Sequence, residues 1–127
     1  MMEFKNNKVL IIDDNNLNIL ALRAVLCTRG FNCVSATCAI QGINILFEDT
    51  EIGIVLMDMV MPGMDGYEAI AKILQCKHLA HIPVIAVTAH AMASDKEKCI
   101  KSGAVDYISK PVNVDALLGL LNKHLNK

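Results

Sequence analysis

The sequence lacks three features that would each point to a particular class of protein. No window approaches the roughly 18 consecutive apolar residues of a membrane span, although 54% of the 127 residues are apolar. The polar N-terminal segment contains no signal-like apolar stretch. The net charge is −1, without the basic stripe that a nucleic-acid surface needs. We therefore expect a soluble, cytoplasmic chain that neither inserts into membranes nor binds nucleic acid.

The cysteines also lack the spacing of a metal or redox motif. There are five, an odd number, and no two have the Cys-x-x-Cys spacing of zinc or redox sites. We predict ordinary reduced thiols, most of them buried. They are Cys27, Cys33, Cys38, Cys76 and Cys99.

What the sequence does contain is an alternation of short apolar runs with helix-like segments. The apolar runs have the length of strands that are buried on both faces of a sheet. Strands are predicted at 8–12, 32–36, 54–57, 84–87 and 105–108, and helices at 16–29, 38–47, 66–76, 94–102 and 113–125. Five β-α repeats in one short chain predict an α/β fold whose parallel sheet has helices on both faces.

Residues that typically terminate or cap helices support the predicted helix ends. Gly30 and Gly103 lie where the first and fourth helices should stop. Ser94 and Glu97 have the capping-box spacing, which places the start of the fourth helix at Ser94.

Two helices differ in the width of their apolar surface. The last helix has one apolar stripe, which predicts a core-facing side. The first helix has an apolar face of Leu17, Leu20, Ala21 and Ala24, and further apolar residues elsewhere: Ile19, Leu22, Val25 and Leu26. The surplus either packs under the last helix or forms an exposed patch that docks a partner helix.

Charged and polar residues follow the predicted strands. Asp13 and Asp14 end the first strand, and Asp58 ends the third. Thr88 ends the fourth strand and Lys110 follows the fifth. Right-handed crossovers place the first and third strands side by side, so the three carboxylates should share one pocket at the carboxyl edge, where ligands bind in open α/β sheets.

This set of residues predicts a cation-dependent chemistry. At about 4 Å and an effective dielectric near 20, each pair of carboxylates repels by roughly 4 kcal/mol. Raised pKa values or a bound cation relieve that repulsion, and oxygen ligands of this kind suit Mg²⁺. Asp58, flanked by Mg²⁺ and Lys110, is arranged to accept a phosphoryl group. Movement of Thr88 toward the phosphate would draw in the loop 89–93 and make a binary switch.

These residues resemble those of the receiver domains of two-component response regulators. The resemblance covers essentially the whole chain, and the residues that carry it are Asp13, Asp14, Asp58 with the segment 61–66, Thr88, Ala89, Tyr107, Lys110 and Pro111. It implies a flavodoxin-like (βα)5 fold with strand order 2-1-3-4-5 and a cis Lys110–Pro111 peptide bond. The chain ends directly after the last helix, so we expect a single receiver domain over residues 1–127 without an output domain.

The resemblance also implies a role for each site residue. Asp58 would be the phosphoacceptor, and Asp13, Asp14, Asp58 and the backbone carbonyl of Val60 would hold Mg²⁺, for which Mn²⁺ could substitute. Thr88 and Lys110 would contact the phosphoryl group, and Tyr107 would turn inward on activation. The protein would be a switch that catalyses only its own phosphorylation and dephosphorylation, signalling through protein contacts.

The implied partners are proteins. A histidine kinase or a histidine-phosphotransfer protein would supply the phosphoryl group, and the downstream target is a further protein. Asp14-Asn15 with Asn18 resembles receivers of hybrid histidine kinases and some single-domain regulators, which exchange phosphate through helix one. A receiver excised from a hybrid kinase and acting in a phosphorelay is therefore the alternative.

Two other functions fit the sequence less well. A Mg²⁺-dependent phosphatase would want a second acid two residues after its nucleophile, where this chain has Val60. A flavin or nucleotide carrier needs a glycine- or hydroxyl-rich phosphate loop, whereas the segment 13–16 is acidic. Val60 and His90 occupy the variable positions that modulate hydrolysis in this family. Because an apolar Val60 cannot orient an attacking water, we hypothesise a long-lived phosphorylated state.

Overall fold

Five strands and five helices alternate along the chain in a computed structural model that describes residues 8–89 and 92–125. The strands are β1 (Lys8–Ile12), β2 (Asn32–Ala36), β3 (Ile52–Asp58), β4 (Val84–Thr88) and β5 (Asp106–Ser109). The helices are α1 (Asn16–Thr28), α2 (Ala39–Glu48), α3 (Gly66–Gln75), α4 (Ala93–Ser102) and α5 (Val114–Leu125). Every element lies within two residues of its predicted range, which confirms the predicted alternation.

The five strands form one parallel sheet in the order β2-β1-β3-β4-β5, as the resemblance implied. β1 and β3 are direct neighbours, with Ile12 paired to Met57. That register brings the residue after β1, Asp13, beside the last residue of β3, Asp58. The order of the strands therefore assembles the site.

Helices cover both faces of the sheet and enclose two apolar clusters. α2, α3 and α4 pack on one face, where Leu10, Met57 and Ile70 are fully buried. α1 and α5 pack on the other face over Val9, Ile54 and other buried strand residues. Because the central strands are buried on both faces, their sequences are continuous apolar runs without alternation.

The helix ends confirm two predictions and correct a third. Gly103 is the left-handed C-cap of α4, with φ 117°, and Gly30 follows α1 with φ 90°. The predicted capping box at Ser94 is wrong: α4 begins at Ala93 after the N-cap Met92, which makes no side-chain cap bond. Ser94 therefore lies inside the first turn and its hydroxyl is not at the capping position.

The structure places the apolar residues of α1 on two different faces, one buried and one exposed. Ile19 and Leu26 are buried against the sheet. Leu17 and Leu20 are 76% and 64% exposed, so much of the predicted apolar face points outward. The predicted core-facing side of the last helix is confirmed, because Leu117 and Leu121 are buried.

The cysteines are less buried than predicted. All five are free thiols, but only Cys99 is buried. Cys33 and Cys76 are half-buried, whereas Cys27 and Cys38 are exposed. The prediction that most are buried is wrong, because general burial preferences for cysteine do not specify which side of a surface helix a residue occupies.

No helix in the described part of the chain is long and apolar enough to span a membrane. The longest, α1, has 13 residues, whereas a span needs about 20.

Candidate functional site

Three carboxylates meet at the carboxyl edge of the sheet. Asp13 and Asp14 follow β1, and Asp58 is the last residue of β3. One oxygen from each lies within 4.8 Å of the others. Asp13 and Asp58 are buried, while Asp14 is exposed to solvent. The predicted meeting of these three acids is confirmed.

Lys110 brings a positive charge to the two buried acids. Its Nζ lies 3.5 Å from Asp58 Oδ2 and 3.7 Å from Asp13 Oδ2. The residue is held at this edge by its backbone N–H, which donates to the carbonyl of Thr88 at 2.8 Å, and it is followed by a cis bond to Pro111. The cis bond implied by the resemblance is therefore present.

Thr88 lies at the carboxyl edge of the sheet, whereas Tyr107 lies farther from that edge. Thr88 is the buried last residue of β4, and its register partner on β5 is Ser109. Tyr107 lies two residues before the end of β5 and packs half-buried against the cluster beneath α2, α3 and α4. Lys96 Nζ lies 5.0 Å from the centroid of the Tyr107 ring. Tyr107 is thus placed between the site edge and α4.

Val60, two residues after Asp58, is exposed. The Val60 side chain is 62% exposed beside the buried Asp58, and its backbone N–H donates to Asp58 Oδ1 at 3.1 Å. His90 is the second residue at which we expect the rate of acyl-phosphate hydrolysis to be modulated. It lies outside the described residues, as does part of the loop 89–93.

Burial raises the pKa of Asp58 above its ordinary value. Loss of water around the carboxylate is the largest cause, and the nearby charge of Asp13 acts in the same direction. The Val60 N–H and the Lys110 ammonium oppose this effect. Since a bound cation would favour the ionised form, the electrostatics of the site favour cation binding.

Asn15 and Asn18 hold Asp13 in place, and sequence reasoning did not identify this role. The Asn15 N–H donates to Asp13 Oδ1 at 2.8 Å, and Asn18 Nδ2 donates to Asp13 Oδ2 at 3.4 Å. The Asn15 side chain also caps α1 by accepting from Leu17 and Asn18 N–H groups. The asparagines after the acidic pair were the available signal, because asparagine is a preferred N-cap.

Gly66 allows the first turn of α3 to approach the end of β3, and its role was also missed. A Cβ at this position would lie 2.7 Å from Met59 Cα and 2.9 Å from the carbonyl oxygen of Asp58. Asp65 caps the same helix and forms a capping box with Glu68. The Asp-Gly pair with Glu68 three residues after Asp65 is the sequence signal for this box.

The donor set fits a hard divalent cation. Three carboxylates, two of them buried, can supply oxygen ligands from adjacent strand ends. Mg²⁺ is usually bound by one or two carboxylates, waters and a phosphate. Among the residues that the structure describes, no thiolate or imidazole belongs to this cluster.

An apolar groove leads from the acids along α1 and α5. It has a volume of about 490 Å³. Asp13 and Lys110 line its end at the site, and Leu22, Val25 and Val114 line its sides. The groove therefore connects the exposed surface of α1 to the acidic cluster.

Comparison with known protein families agrees with this geometry. The family described as the response regulator receiver domain matches residues 9–122. The chain belongs to the response regulator receiver family. Receiver domains are signalling switches and not conventional enzymes, so the phosphatase and flavin-carrier alternatives are set aside.

Similar curated proteins include histidine kinases. Hybrid signal transduction histidine kinase I of Dictyostelium discoideum is 38% identical over 126 residues, which is 94% of this chain and 7% of that protein. Sensor histidine kinase RcsC of Escherichia coli K12 is 38% identical over 86% of this chain and 11% of its own length. The receiver chain thus spans only about a tenth of these relatives.

Solved receiver structures share the fold. A response regulator receiver protein from Pseudomonas putida has a TM-score of 0.84 at 31% identity, covering 91% of this chain and 95% of that one. The receiver domain of sensor histidine kinase PA1611 from Pseudomonas aeruginosa has a TM-score of 0.86 at 28% identity, covering 94% and 98%. That structure is described with a magnesium ion coordinated in the active-site cleft.

Proposed function

We propose that this receiver is a phosphorylation-activated switch in which Asp58 accepts a phosphoryl group from a phosphohistidine donor. The observation that carries the proposal is the meeting of a buried Asp58 with two further acids and Lys110 at one sheet edge. A carboxylate next to a fixed ammonium and an acidic cation site has the arrangement that phosphoryl transfer requires, because that reaction depends on positioning and charge neutralisation.

In the proposed reaction, Asp58 Oδ attacks the phosphorus of the donor. The P–N bond breaks, its electron pair stays on the imidazole nitrogen, and an acyl phosphate forms on Asp58. Lys110 is within reach of both Asp58 and an incoming phosphoryl oxygen, so it stabilises the charge that develops there. In dephosphorylation, a water oxygen would attack the phosphorus, the P–O bond to Asp58 would break, and inorganic phosphate and the ionised carboxylate would result.

Asp13, Asp14 and Asp58 would hold Mg²⁺, with Mn²⁺ as a substitute and the Val60 carbonyl as a further ligand. When bound, the ion supplies neutralisation of phosphoryl charge. The fit of the donor set supports this assignment. Asn15 and Asn18 orient Asp13 for the role through their hydrogen bonds.

The switch would act through Thr88 and Tyr107. Thr88 hydrogen-bonds the phosphoryl oxygens, and its movement pulls the loop 89–93. Tyr107 is half-buried beneath α4 with Lys96 over its ring. An inward turn of Tyr107 would change the surface that α4 and β5 present to a downstream protein.

The proposed donor is a cytoplasmic histidine kinase or histidine-phosphotransfer protein that docks a helix on α1. Leu17 and Leu20 form an exposed apolar surface there, and the adjacent groove runs to Asp13 and Lys110. A helix seated on this surface would bring its phosphohistidine to Asp58. The similarity to RcsC and related sensor kinases favours a role within a phosphorelay. A single receiver domain over residues 1–127, without an output domain, stays a prediction.

Phosphotransfer from a purified phosphohistidine protein tests the docking surface. Leu20→Asp should slow transfer from that protein by at least tenfold, because the charge is placed in the proposed interface. The same variant should accept phosphate from acetyl phosphate at the wild-type rate, since the small donor needs no docking.

Ile40→Asp is the matched control, because Ile40 is equally exposed, at 60%, but lies on α2. It should leave both rates unchanged. Equal slowing by Leu20→Asp and Ile40→Asp would reject α1 as the docking helix. The acceptor itself is tested by borohydride reduction of the phosphorylated protein, which should convert position 58 to homoserine, and homoserine at another position would reject Asp58.

A further inference from the structure

Both tyrosines of the chain contact α4. Tyr67 lies in the first turn of α3 and Tyr107 lies in β5, and the sequence contains no other tyrosine. Lys98 Nζ lies 4.5 Å from the centroid of the Tyr67 ring, and Lys96 Nζ lies 5.0 Å from the centroid of the Tyr107 ring. A cation at such a distance from an aromatic ring is attracted to it. α4 therefore supplies one lysine to each ring.

Tyr67 makes a second contact with α4 through its hydroxyl. This hydroxyl and Cys99 Sγ share a hydrogen bond of 3.8 Å, and Cys99 is fully buried. Burial raises the pKa of Tyr67 to about 12, and the hydrogen bond to Cys99 acts in the same direction. The hydroxyl therefore stays protonated at neutral pH. Two neighbouring residues of α4, Lys98 and Cys99, thus hold the ring and the hydroxyl of one side chain.

Tyr67 also lies next to the backbone around Asp58. It directly follows Gly66, whose N–H donates to the carbonyl of Met59 at 3.3 Å. A Cβ on Gly66 would lie 2.9 Å from the carbonyl oxygen of Asp58. Because Gly66 fixes the first turn of α3 against the end of β3, Tyr67 connects that end to α4. The chain that follows Thr88 reaches α4 by a second route.

We propose that Tyr67 is a positioning residue of the switch, which holds α4 in its resting position through the hydrogen bond to Cys99. The inference rests on the proposed function, because the proposed movement of Thr88 pulls the loop that leads into α4. That pull has to break the contact between Tyr67 and Cys99. Removal of the hydroxyl destabilises the resting position alone, so the equilibrium shifts toward the arrangement that the phosphorylated protein adopts.

Tyr67→Phe tests this role because it keeps the ring beside Lys98 and removes only the hydroxyl. Beryllofluoride, a stable mimic of a phosphoryl group, is the probe, since it favours the phosphorylated arrangement without a donor protein. The net contribution of one neutral hydrogen bond corresponds to roughly a twofold to tenfold change in an equilibrium constant. We therefore expect the dissociation constant of beryllofluoride to fall by roughly twofold to tenfold in Tyr67→Phe.

Thr28→Val is the matched control. The Thr28 hydroxyl donates to the carbonyl of Val25 at 2.7 Å in α1, so this variant also loses one hydroxyl hydrogen bond, but away from α4. It should bind beryllofluoride as the wild type does. Cys99→Ala removes the other partner of the bond and should also tighten binding. The double variant Tyr67→Phe/Cys99→Ala should bind no more tightly than Cys99→Ala, because both changes break the same bond.

Titration with beryllofluoride in the presence of Mg²⁺, followed by fluorine NMR, gives the dissociation constants. Without beryllofluoride, backbone hydrogen exchange in α4 should be faster in Tyr67→Phe than in the wild type or Thr28→Val. Tighter binding is the result that mere damage to the fold would not produce. Equal or weaker binding by Tyr67→Phe, or unchanged exchange in α4, would overturn this inference while the wild type still binds. A wild type that binds no beryllofluoride would reject the proposed function, and this inference with it.

Discussion

At the scale of single residues, Asp58 combines burial with a negative charge. Its carboxylate is 5% exposed, and its pKa is raised mainly because water is excluded. A raised pKa in the folded state means that the native protein binds a proton more readily than the unfolded chain does. The contribution of Asp58 to stability is therefore greatest below the unfolded pKa and is lost as pH rises through the folded pKa.

Asp58→Asn should raise the free energy of unfolding at pH 7 in the absence of divalent ions. The substitution removes an ionised group from a buried position where it lies beside Asp13. The gain should shrink at acid pH, where Asp58 is protonated in the wild type. Urea denaturation at pH 7 and at pH 4 measures the gain in the free energy of unfolding and its decrease at acid pH. Glu97→Gln, at an exposed position, is the control. A variant less stable than wild type at pH 7 would contradict this account.

Val60→Asn should shorten the lifetime of the phosphorylated protein. Val60 is exposed beside Asp58, the proposed acceptor, and an apolar side chain offers no hydrogen bond to an attacking water. An amide there could orient water toward phosphorus, so we expect dephosphorylation to become several-fold faster. Decay of the phosphoprotein measured by intact mass checks this, and equal lifetimes would reject the hypothesis.

At the scale of elements, the close approach of α3 to β3 fixes the backbone around Asp58. Gly66→Ala would place a methyl group 2.7 Å from Met59 Cα. Because the obstacle is backbone, the helix must shift, at a cost of about 1–3 kcal/mol. Phosphorylation by acetyl phosphate should slow as well, because the Asp58 carbonyl is displaced.

Gly119→Ala is the matched control for that substitution. Gly119 lies inside α5, and nothing lies within 4 Å of its added Cβ. Replacing a mid-helix glycine by alanine should stabilise the protein by about 0.5–1 kcal/mol. Urea denaturation of both variants measures the change in the free energy of unfolding. Similar changes in the two variants would show that Gly66 has no special packing role.

Most elements could be predicted from the sequence because the central strands are continuous apolar runs and glycines mark helix ends. β3 is buried along nearly its whole length, so its sequence is an apolar run that predicts a strand. The start of α4 could not be predicted, because Ser94 and Glu97 have the spacing of a cap without its backbone position. The sequence also did not show which face of α1 packs against the sheet, since apolar residues occur on several of its faces.

The candidate site was predicted at the level of which residues meet, but not how they are held. Strand order alone brings Asp13 and Asp58 together. The hydrogen bonds from Asn15 and Asn18 and the close approach of Gly66 depend on tertiary distances that spacing does not encode.

At the scale of the whole molecule, a bound cation should couple the site to global stability. Mg²⁺ at 100 times its dissociation constant should add about 2.7 kcal/mol, because it binds only the folded state. This stabilisation should weaken as pH falls, since protonation of Asp58, whose pKa is raised, competes with the ion. Thermal unfolding with and without Mg²⁺ at pH 8 and pH 5 measures it. Equal shifts at the two pH values would contradict the proposed ligand set.

The fold places the proposed acceptor, the proposed cation site and the proposed docking groove at the carboxyl edge of the sheet. The acids and Lys110 lie at the carboxyl edge of the sheet, and the groove between α1 and α5 opens onto them. A single covalent event at Asp58 is therefore adjacent to the surfaces that would deliver the phosphoryl group and report it.

Intact mass after incubation with acetyl phosphate and Mg²⁺ tests whether Asp58 is a metal-dependent phosphoacceptor. We expect one added phosphoryl group on the wild type, and none on Asp58→Asn or when the metal is chelated. Addition that persists in Asp58→Asn, or that needs no metal, would contradict the assignment of Asp58 as a metal-dependent acceptor.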